Sequence, residues 1–270
     1  MHFIDTHCHL DDTRYDSDLD LVISNAYALG VREILIPAAS PHTLSKAKHI
    51  SDKYEGVYFA CGLHPCDIDK EADFRESLSR FIDESKCKAI GECGLDYYYL
   101  PKIAQEDSQN EADKKMEQIK AIKIAQKALF IEQIELAIEK DLPLIVHIRE
   151  ASNDAYEILS SYKQARGVLH CYNADRILLG LSERFYYGIG GVATFKNARR
   201  LLEVLPLIPQ NRLLLETDAP YLTPHPYRGE RNSPEYIPLI CARVGEILGI
   251  EAEEIASLTT QNAQNLFNFY

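Results

Sequence analysis

Leu142-Pro143-Leu144-Ile145-Val146-His147 is an almost uninterrupted apolar run that stops on a histidine. A short run of this kind reads as a buried strand. Moving outward, runs at residues 2–9, 33–38, 57–63, 89–93, 168–171, 185–189 and 213–217 share its character, which with 144–148 makes eight. Segments between them, such as 18–29, 74–85 and 198–205, carry apolar residues at intervals of three and four, the period of a helix with one buried face. Eight strands, each followed by room for a helix, predict parallel βα units. The fold class is then α/β, a (β/α)8 TIM-type barrel forming a single domain over residues 1–270. A doubly wound open sheet has the same alternation and is the competing architecture.

One region exceeds a minimal barrel. Cys93 and Leu144 are some fifty residues apart, about twice what a loop and one helix need. Residues 127–140 read as an ordinary amphipathic helix with Ile131, Ile134, Leu136 and Ile138. Residues 106–126 are charged and helix-prone, with Lys114, Lys115, Lys120 and Lys123 among Met116, Ile119 and Ile122. A helical insertion over about residues 101–126, after the fourth strand, is the expectation. It is either a lid or polyanion-touching arm, or a solvated or self-associating extension of the kind mixed-charge helices often form.

With 46% hydrophobic and 26% charged residues, the chain can bury a sizeable core, which excludes a disordered protein or a disulfide-stapled miniprotein. Its 29 basic and 41 acidic residues leave a net charge of −12, which argues against a broad basic face that coats nucleic acid. A polyanionic ligand would need a local source of positive charge, and bound metal ions supply one. The seven cysteines are scattered and never spaced as CxxC, the usage of a reducing compartment without a zinc ribbon or redox pair. Met1-His2-Phe3-Ile4-Asp5 lacks the pattern of a signal peptide, and no stretch approaches the roughly 20 apolar residues of a membrane span. A cytoplasmic location, no membrane association and no obligate protein partner are expected.

Histidines and acids collect at strand ends. His7 and His9 close the first run, His64 follows the third, and His147 and His170 lie near the ends of the fifth and sixth. Glu92 ends the fourth and Asp218 the eighth. In a parallel barrel all these ends share one rim, so seven side chains can converge. His-x-His on a strand puts both imidazoles on one face. Two partly exposed surface histidines are the plainer explanation, but the neighbouring Phe3, Ile4 and Leu10 argue for burial, where imidazoles need partners. Asp5, one step deeper on the same face, reads equally as an acceptor of a ring proton or as a structural core aspartate. Glu92 would be costly if buried and unpaired, so a cation partner is expected. Asp218 raises the same question, and Glu216 shares its inward parity.

Four histidines and two carboxylates exceed the four donors that close a structural zinc site. They suit two divalent ions sharing a carboxylate, and Glu92, from a strand between the two ligand groups, is placed to be the bridge. Mixed imidazole and carboxylate donors admit Zn, Mn or Fe, and Mg more weakly. The sequence contains no GxSxG, GxxxxGK[ST], HExxH or strand-following GxGxxG motif. Gly188-Ile189-Gly190-Gly191 reads as a glycine turn, with close approach to a ligand as its functional alternative.

Phe3-Ile4-Asp5-Thr6-His7-Cys8-His9-Leu10, Gly62-Leu63-His64-Pro65, Gly91-Glu92-Cys93-Gly94-Leu95-Asp96-Tyr97-Tyr98 and Leu215-Glu216-Thr217-Asp218-Ala219-Pro220-Tyr221-Leu222-Thr223-Pro224 follow in that order. With Arg228-Gly229-Glu230-Arg231-Asn232-Ser233-Pro234 added, the chain closely resembles the TatD family of metal-dependent deoxyribonucleases, within the amidohydrolase-like barrels. The resemblance runs along almost the whole chain. It implies a barrel, divalent metals and hydrolysis of DNA phosphodiesters, often as a 3′-to-5′ exonuclease. It further implies that His7, His9 and Asp218 hold one ion and His147 and His170 the other, with Glu92 between them. His64, Arg228 and Arg231 resemble substrate-side residues. Two departures stand out: Tyr172-Asn173 where the family commonly has Phe-Ser, and the longer helical insertion.

The mechanism expected is attack of metal-activated water on DNA, single-stranded or at frayed ends, with two divalent ions (Zn, Mn or Mg). Asp218 would orient the water and take its proton, with Glu92 the second catalytic carboxylate. His64 and Arg228 would bind phosphate, and Arg149 either joins them or makes a surface ion pair with Glu150 or Asp154. Tyr97, Tyr98 and Tyr99 would stack on bases or pack under the insertion. Hydrolysis of another small ester, amide or phosphoester on the same scaffold is the alternative.

Overall fold

In the computed structural model, which describes residues 1–68 and 74–269, eight parallel strands pair in chain order. They are β1 (Phe3–Asp5), β2 (Val31–Ile36), β3 (Val57–Cys61), β4 (Cys87–Asp96), β5 (Leu144–Arg149), β6 (Gly167–Leu169), β7 (Phe185–Ile189) and β8 (Leu213–Leu215). The last strand returns to the first. Thr6 donates its backbone N–H to Leu215 at 3.1 Å, Asp218 donates to His7 at 2.9 Å, and Cys8 bridges Ala219 in parallel. This order and closure make the (β/α)8 barrel and exclude the doubly wound sheet, whose strand order would reverse partway.

The interior is filled from the amino-terminal end. Ile4, Leu35, Ala60, Ala89, Ile145, Val168, Tyr186 and Leu214, one from each strand, pack with Ala263, Leu266, Phe267 and Phe269. The last four come from the end of the terminal helix (Ala252–Phe267) and the residues after it, so that helix plugs the barrel floor. Neighbouring strand residues such as Val146, Leu169 and Leu215 point outward into the larger core beneath the helices. With the floor plugged, the open end is the carboxyl-terminal rim, where the histidines are.

Helices α1 (Leu19–Ala28), α2 (Leu44–Lys53) and α3 (Phe74–Ser79) precede the long α4 (Gln109–Glu139). The region read as an insertion followed by a separate helix is one continuous helix of 31 residues. A capping box starts it, Ser108 with Glu111, and no glycine or proline interrupts residues 109–142. Its buried positions begin only at Gln126. Lys115 pairs at 2.6 Å with Asp107, just ahead of the helix's own cap, and Lys123, 4.4 Å over the Tyr97 ring, fastens a later turn to the end of β4. Helices α5 (Ser152–Ser161), α6 (Arg199–Val204), α7 (Ile237–Leu248) and α8, the terminal plug, complete the outer layer.

Candidate metal centre

Strict alternation would put Glu92 on the outer face. Ala89 points into the barrel and Ile90 out, yet past Glu92 it is Cys93 and Leu95 that face the helices. The ladder to β5 shifts register between Ile90 and Cys93, and this bulge turns Glu92 inward. Gly91 permits it: a Cβ there would stand 2.6 Å from the Cβ of Ile145 and 2.8 Å from its carbonyl oxygen. In β5 alternation holds, so Ile145 and His147 share the inner face. His170 follows Val168 in the same way.

Glu92 lies between two groups of donors. Its Oε2 is 3.4 Å from His7 Nε2 and 3.8 Å from His9 Nε2. Its Oε1 is 2.7 Å from His147 Nδ1 and 2.9 Å from His170 Nε2. Asp218 Oδ1 completes the first group, 3.7 Å from His7 Nε2 and 3.5 Å from His9 Nε2. All six residues expected to bind metal therefore meet at one place.

The donor set fits divalent cations. His7 Nε2 faces His9 Nε2 at 3.2 Å, and His147 Nδ1 faces His170 Nε2 at 3.1 Å. Nitrogens bound about 2.0–2.1 Å from a tetrahedral ion stand about 3.3 Å apart, so these separations are close to the edges of such a polyhedron. The charges agree. Burial alone would raise the pKa of Glu92, but His170, His147 and His7 outweigh it and hold the carboxyl well below the usual range. Asp218 is likewise held down against burial, by His9, His7 and His170. Burial disfavours charged His9 and His147, yet the facing carboxylates raise each to about 9. Two ionised carboxylates holding positive charge between them suit divalent cations.

Three carboxylates around this centre have distinct roles. Asp5 does not reach an imidazole nitrogen: its oxygens accept the backbone N–H groups of His7 at 3.2 Å and Thr217 at 2.9 Å, and the Thr217 hydroxyl at 2.6 Å. It ties β1 to the end of β8, and burial raises its pKa to about 7. Glu216 is the carboxylate beneath the rings. Its Oε1 accepts the Cys171 N–H at 2.5 Å and stands 3.8 Å from His170 Nδ1. The Nδ1 atoms of His7 and His170 are buried without a hydrogen-bond partner, and their rings stack at 4.0 Å. Gly188 makes room for Glu216, since a Cβ there would lie 2.1 Å from Glu216 Oε2. That glycine is thus inside β7 and serves packing, not a turn. Asp96 was missed by sequence reasoning although it ends β4 four residues after Glu92. Its Oδ2 is 3.2 Å from His147 Nε2, and its Oδ1 accepts the Tyr98 N–H at 2.9 Å.

The substrate-side expectations divide. His64 joins the centre, with Nε2 3.6 Å from Glu92 Oε1 and Nδ1 accepting the Cys66 N–H at 3.1 Å. Arg228 is exposed, donates to the Thr223 carbonyl at 3.1 Å and lies 3.9 Å over Phe195. Arg231 contacts the protein instead: two nitrogens reach the Asp18 carboxylate at 2.9 and 2.6 Å, and one also reaches the Arg14 carbonyl at 2.6 Å. It fastens the late loop to the start of α1. Arg149 stacks 3.6 Å over Tyr98, while Asp154 pairs with Lys127 at 2.8 Å. Arg149, Lys123, Asn173 and Arg200 line a groove of about 590 Å³ beside the centre. Tyr97 is buried and donates to Asp154 at 2.7 Å, whereas Tyr99 is 68% exposed, its hydroxyl accepting from Arg149 at 3.4 Å. Asn173, at a departure from the family pattern, bonds Ser152 at 3.1 Å and the Asp175 N–H at 2.9 Å, bracing the loop after β6. No described helix is long and apolar enough to cross a membrane.

The chain is also similar, in sequence and in fold, to known proteins. The family model for TatD related DNases matches residues 4–268. The uncharacterized metal-dependent hydrolase YabD of Bacillus subtilis is 38% identical over 268 residues, covering 97% of this chain and 98% of its own. The uncharacterized metal-dependent hydrolase YcfH of Escherichia coli K12 is 35% identical over 275 residues, covering 99% and 96%. The crystal structure of YjjV, a TatD homologue from E. coli K12, superposes with a TM-score of 0.83 at 30% identity, covering 98% of both chains.

Proposed function

Because this chain belongs to the TatD related DNase family and is a metal-dependent hydrolase, we propose that it hydrolyses DNA phosphodiester bonds, removing nucleotides from the 3′ end of single-stranded or frayed DNA. The observation that carries this reading is Glu92, with one oxygen 3.4 Å from His7 and the other 2.9 Å from His170. That division suits a carboxylate shared by two ions, one held by His7, His9 and Asp218 and the other by His147 and His170. Imidazoles and carboxylates together favour Zn or Mn over Mg. Held there, two divalent ions would lower the pKa of water towards neutrality and neutralise phosphate oxygens.

The chain's own residues do the rest. Asp218, at the rim, accepts the proton of the attacking water. His64, beside Glu92, donates a hydrogen bond to the phosphate. Arg149 keeps most of its guanidinium donors free while Tyr98 holds it flat, which presents a fork to the next phosphate along the groove. Exposed Tyr99 offers a face on which an unpaired base stacks. Arg228 lies on the late loop with its flank braced by Phe195. Arg231 acts on that loop through Asp18 and only indirectly on substrate. Metal ions at the rim and these local cations account for polyanion binding by a chain at −12.

The test is product mapping on oligonucleotides labelled at the 5′ or 3′ end, with chelated and metal-restored protein, beside a panel of small esters, amides and phosphoesters. Stepwise shortening from the 3′ end that stops with chelator and returns with metal is expected. Metal-restored cleavage of a small ester or amide with no DNA product would replace the reading by the other hydrolase class.

A further inference from the structure

A second cluster of metal-ligating side chains adjoins the centre, through His64, 3.6 Å from Glu92, and Asp96, 3.2 Å from His147. His64 and Cys66 flank Pro65 at the end of β3, and Asp96 ends β4. One donor atom of each lies within 4.8 Å of the others. Cys66 is an exposed free thiol whose Sγ is 3.7 Å from Asp96 Oδ2. A zinc ion with sulfur at about 2.3 Å and oxygen at about 2.0–2.2 Å sets these two atoms about 3.5 Å apart in a tetrahedron, so the separation suits a shared ion. The field is negative, with Asp67 and Glu92 adding to Asp96 around the sulfur. The donors are also of a different kind: all the ligands at the centre are nitrogen or oxygen, and this cluster adds a sulfur.

We propose that His64, Cys66 and Asp96 form a third cation site at the barrel mouth, selective for a thiophilic divalent ion such as Zn²⁺ or Cd²⁺, whose binding withdraws His64 from the substrate and so inhibits the enzyme. Three protein ligands leave one position of the tetrahedron open to water, as in exchangeable sites. When the ion binds, the sulfur–metal bond replaces the S–H bond and the thiol proton leaves to solvent. Hard ions such as Mg²⁺ gain little from sulfur, so the two-ion centre can fill without this site. The inhibition rests on the substrate role given to His64 above, but the existence of the site does not.

The experiment is a Co²⁺ titration of the metal-free full-length protein, followed by equilibrium metal counting and near-ultraviolet absorption. Wild type is expected to take three ions per chain and to develop a thiolate-to-cobalt charge-transfer band with the third. Cys66→Ser is expected to take two and show no band, with an unchanged circular dichroism spectrum. His64→Gln, a second route should the serine variant fold poorly, is expected to weaken the same third step. Saturation of wild type at two ions, or a band that survives Cys66→Ser and so arises from another cysteine such as Cys171, overturns the site. None of these readings needs a substrate, so they stand if the DNA reading fails. A third ion that leaves DNA hydrolysis undiminished overturns the inhibitory role alone.

Discussion

His147 and Asp96 face each other across 3.2 Å, from the imidazole Nε2 to the carboxylate Oδ2, while the other ring nitrogen lies 2.7 Å from Glu92. A histidine that gives one N–H to a carboxylate keeps the lone pair of its other nitrogen for a cation. Asp96 is therefore placed to fix the tautomer and the tilt of a ring that the proposed second ion would use. It does so from the end of the strand whose bulge delivers Glu92.

Asp96→Asn is expected to weaken the ion held by His147 and His170 by about 10–100-fold, the range seen when a ligand's hydrogen-bond partner is altered. The ion at His7 and His9 should bind as before. Mn²⁺ titration is the measurement to use, because manganese disfavours the thiolate cluster. Equal affinity at both steps in the variant and the wild type would show that the Asp96 contact does not orient the ring.

Gly188→Ala probes the space under the centre. Its new Cβ would lie 2.1 Å from Glu216 Oε2, so the carboxylate must move and give up the Cys171 N–H. Overpacking of this kind costs about 1–3 kcal/mol, to be read from the urea midpoint. Glu216→Ala removes the atom that clashes. The double variant is thus expected to be more stable than the sum of the two single losses predicts. Simple additivity would mean that the glycine has another role.

These cases mark what the sequence could and could not convey. The eight apolar runs and the histidines that end them were legible, because strand burial and strand-end chemistry leave local patterns. Glu92 was found by its place at the end of the fourth run, but its inward direction depends on a bulge that breaks the period of two, which alternation assumes. Asp5 illustrates the converse: alternation aims it at the rings, whereas its carboxylate binds backbone where β1 ends. Glu216 and Gly188 come from different strands, so only the closed barrel brings them together. The division at residue 126 was drawn where burial begins, yet helix and burial have different boundaries in α4. Arg231 was expected on the substrate side, and no local pattern could show that its partner is Asp18, 213 residues away.

The Arg231–Asp18 pair makes a pH-dependent prediction. Arg231 holds the Asp18 carboxyl below its usual range. A depressed carboxylate adds stability that is fully present above the unfolded pKa, about 3.9, and is lost as pH falls through the lower folded value. Both side chains are one-third exposed, so the contribution is small, about 0–1 kcal/mol. Arg231→Ala should therefore sit slightly below wild type in urea stability at neutral pH and converge with it in acid. Freed of the clamp, the late loop should raise KM for an oligonucleotide more than it lowers kcat. A fall confined to kcat would instead place Arg231 against the reacting phosphate.

Asp218 and Glu92 both lie beside His7 and His9, where the first of the proposed ions would be held, and their exposure separates them. The Asp218 side chain is 15% exposed and the Glu92 side chain 5%. Glu92 also has an oxygen in each donor group, so neither is spare, whereas Asp218 turns Oδ1 toward His7 and His9 of the first group. Asp218→Asn keeps the shape and an oxygen donor but loses the base. Turnover is expected to fall by about 10²–10⁴-fold, the usual yield of general base catalysis, while binding of single-stranded DNA changes little. Glu92→Ala should differ in kind, because two coordination shells lose a ligand and metal content falls with activity. Stopped turnover with intact metal in Asp218→Asn, beside joint loss of both in Glu92→Ala, separates a proton acceptor from a bridge. An equal loss of turnover and DNA affinity in Asp218→Asn would make Asp218 a binding residue and leave the proton to another acceptor.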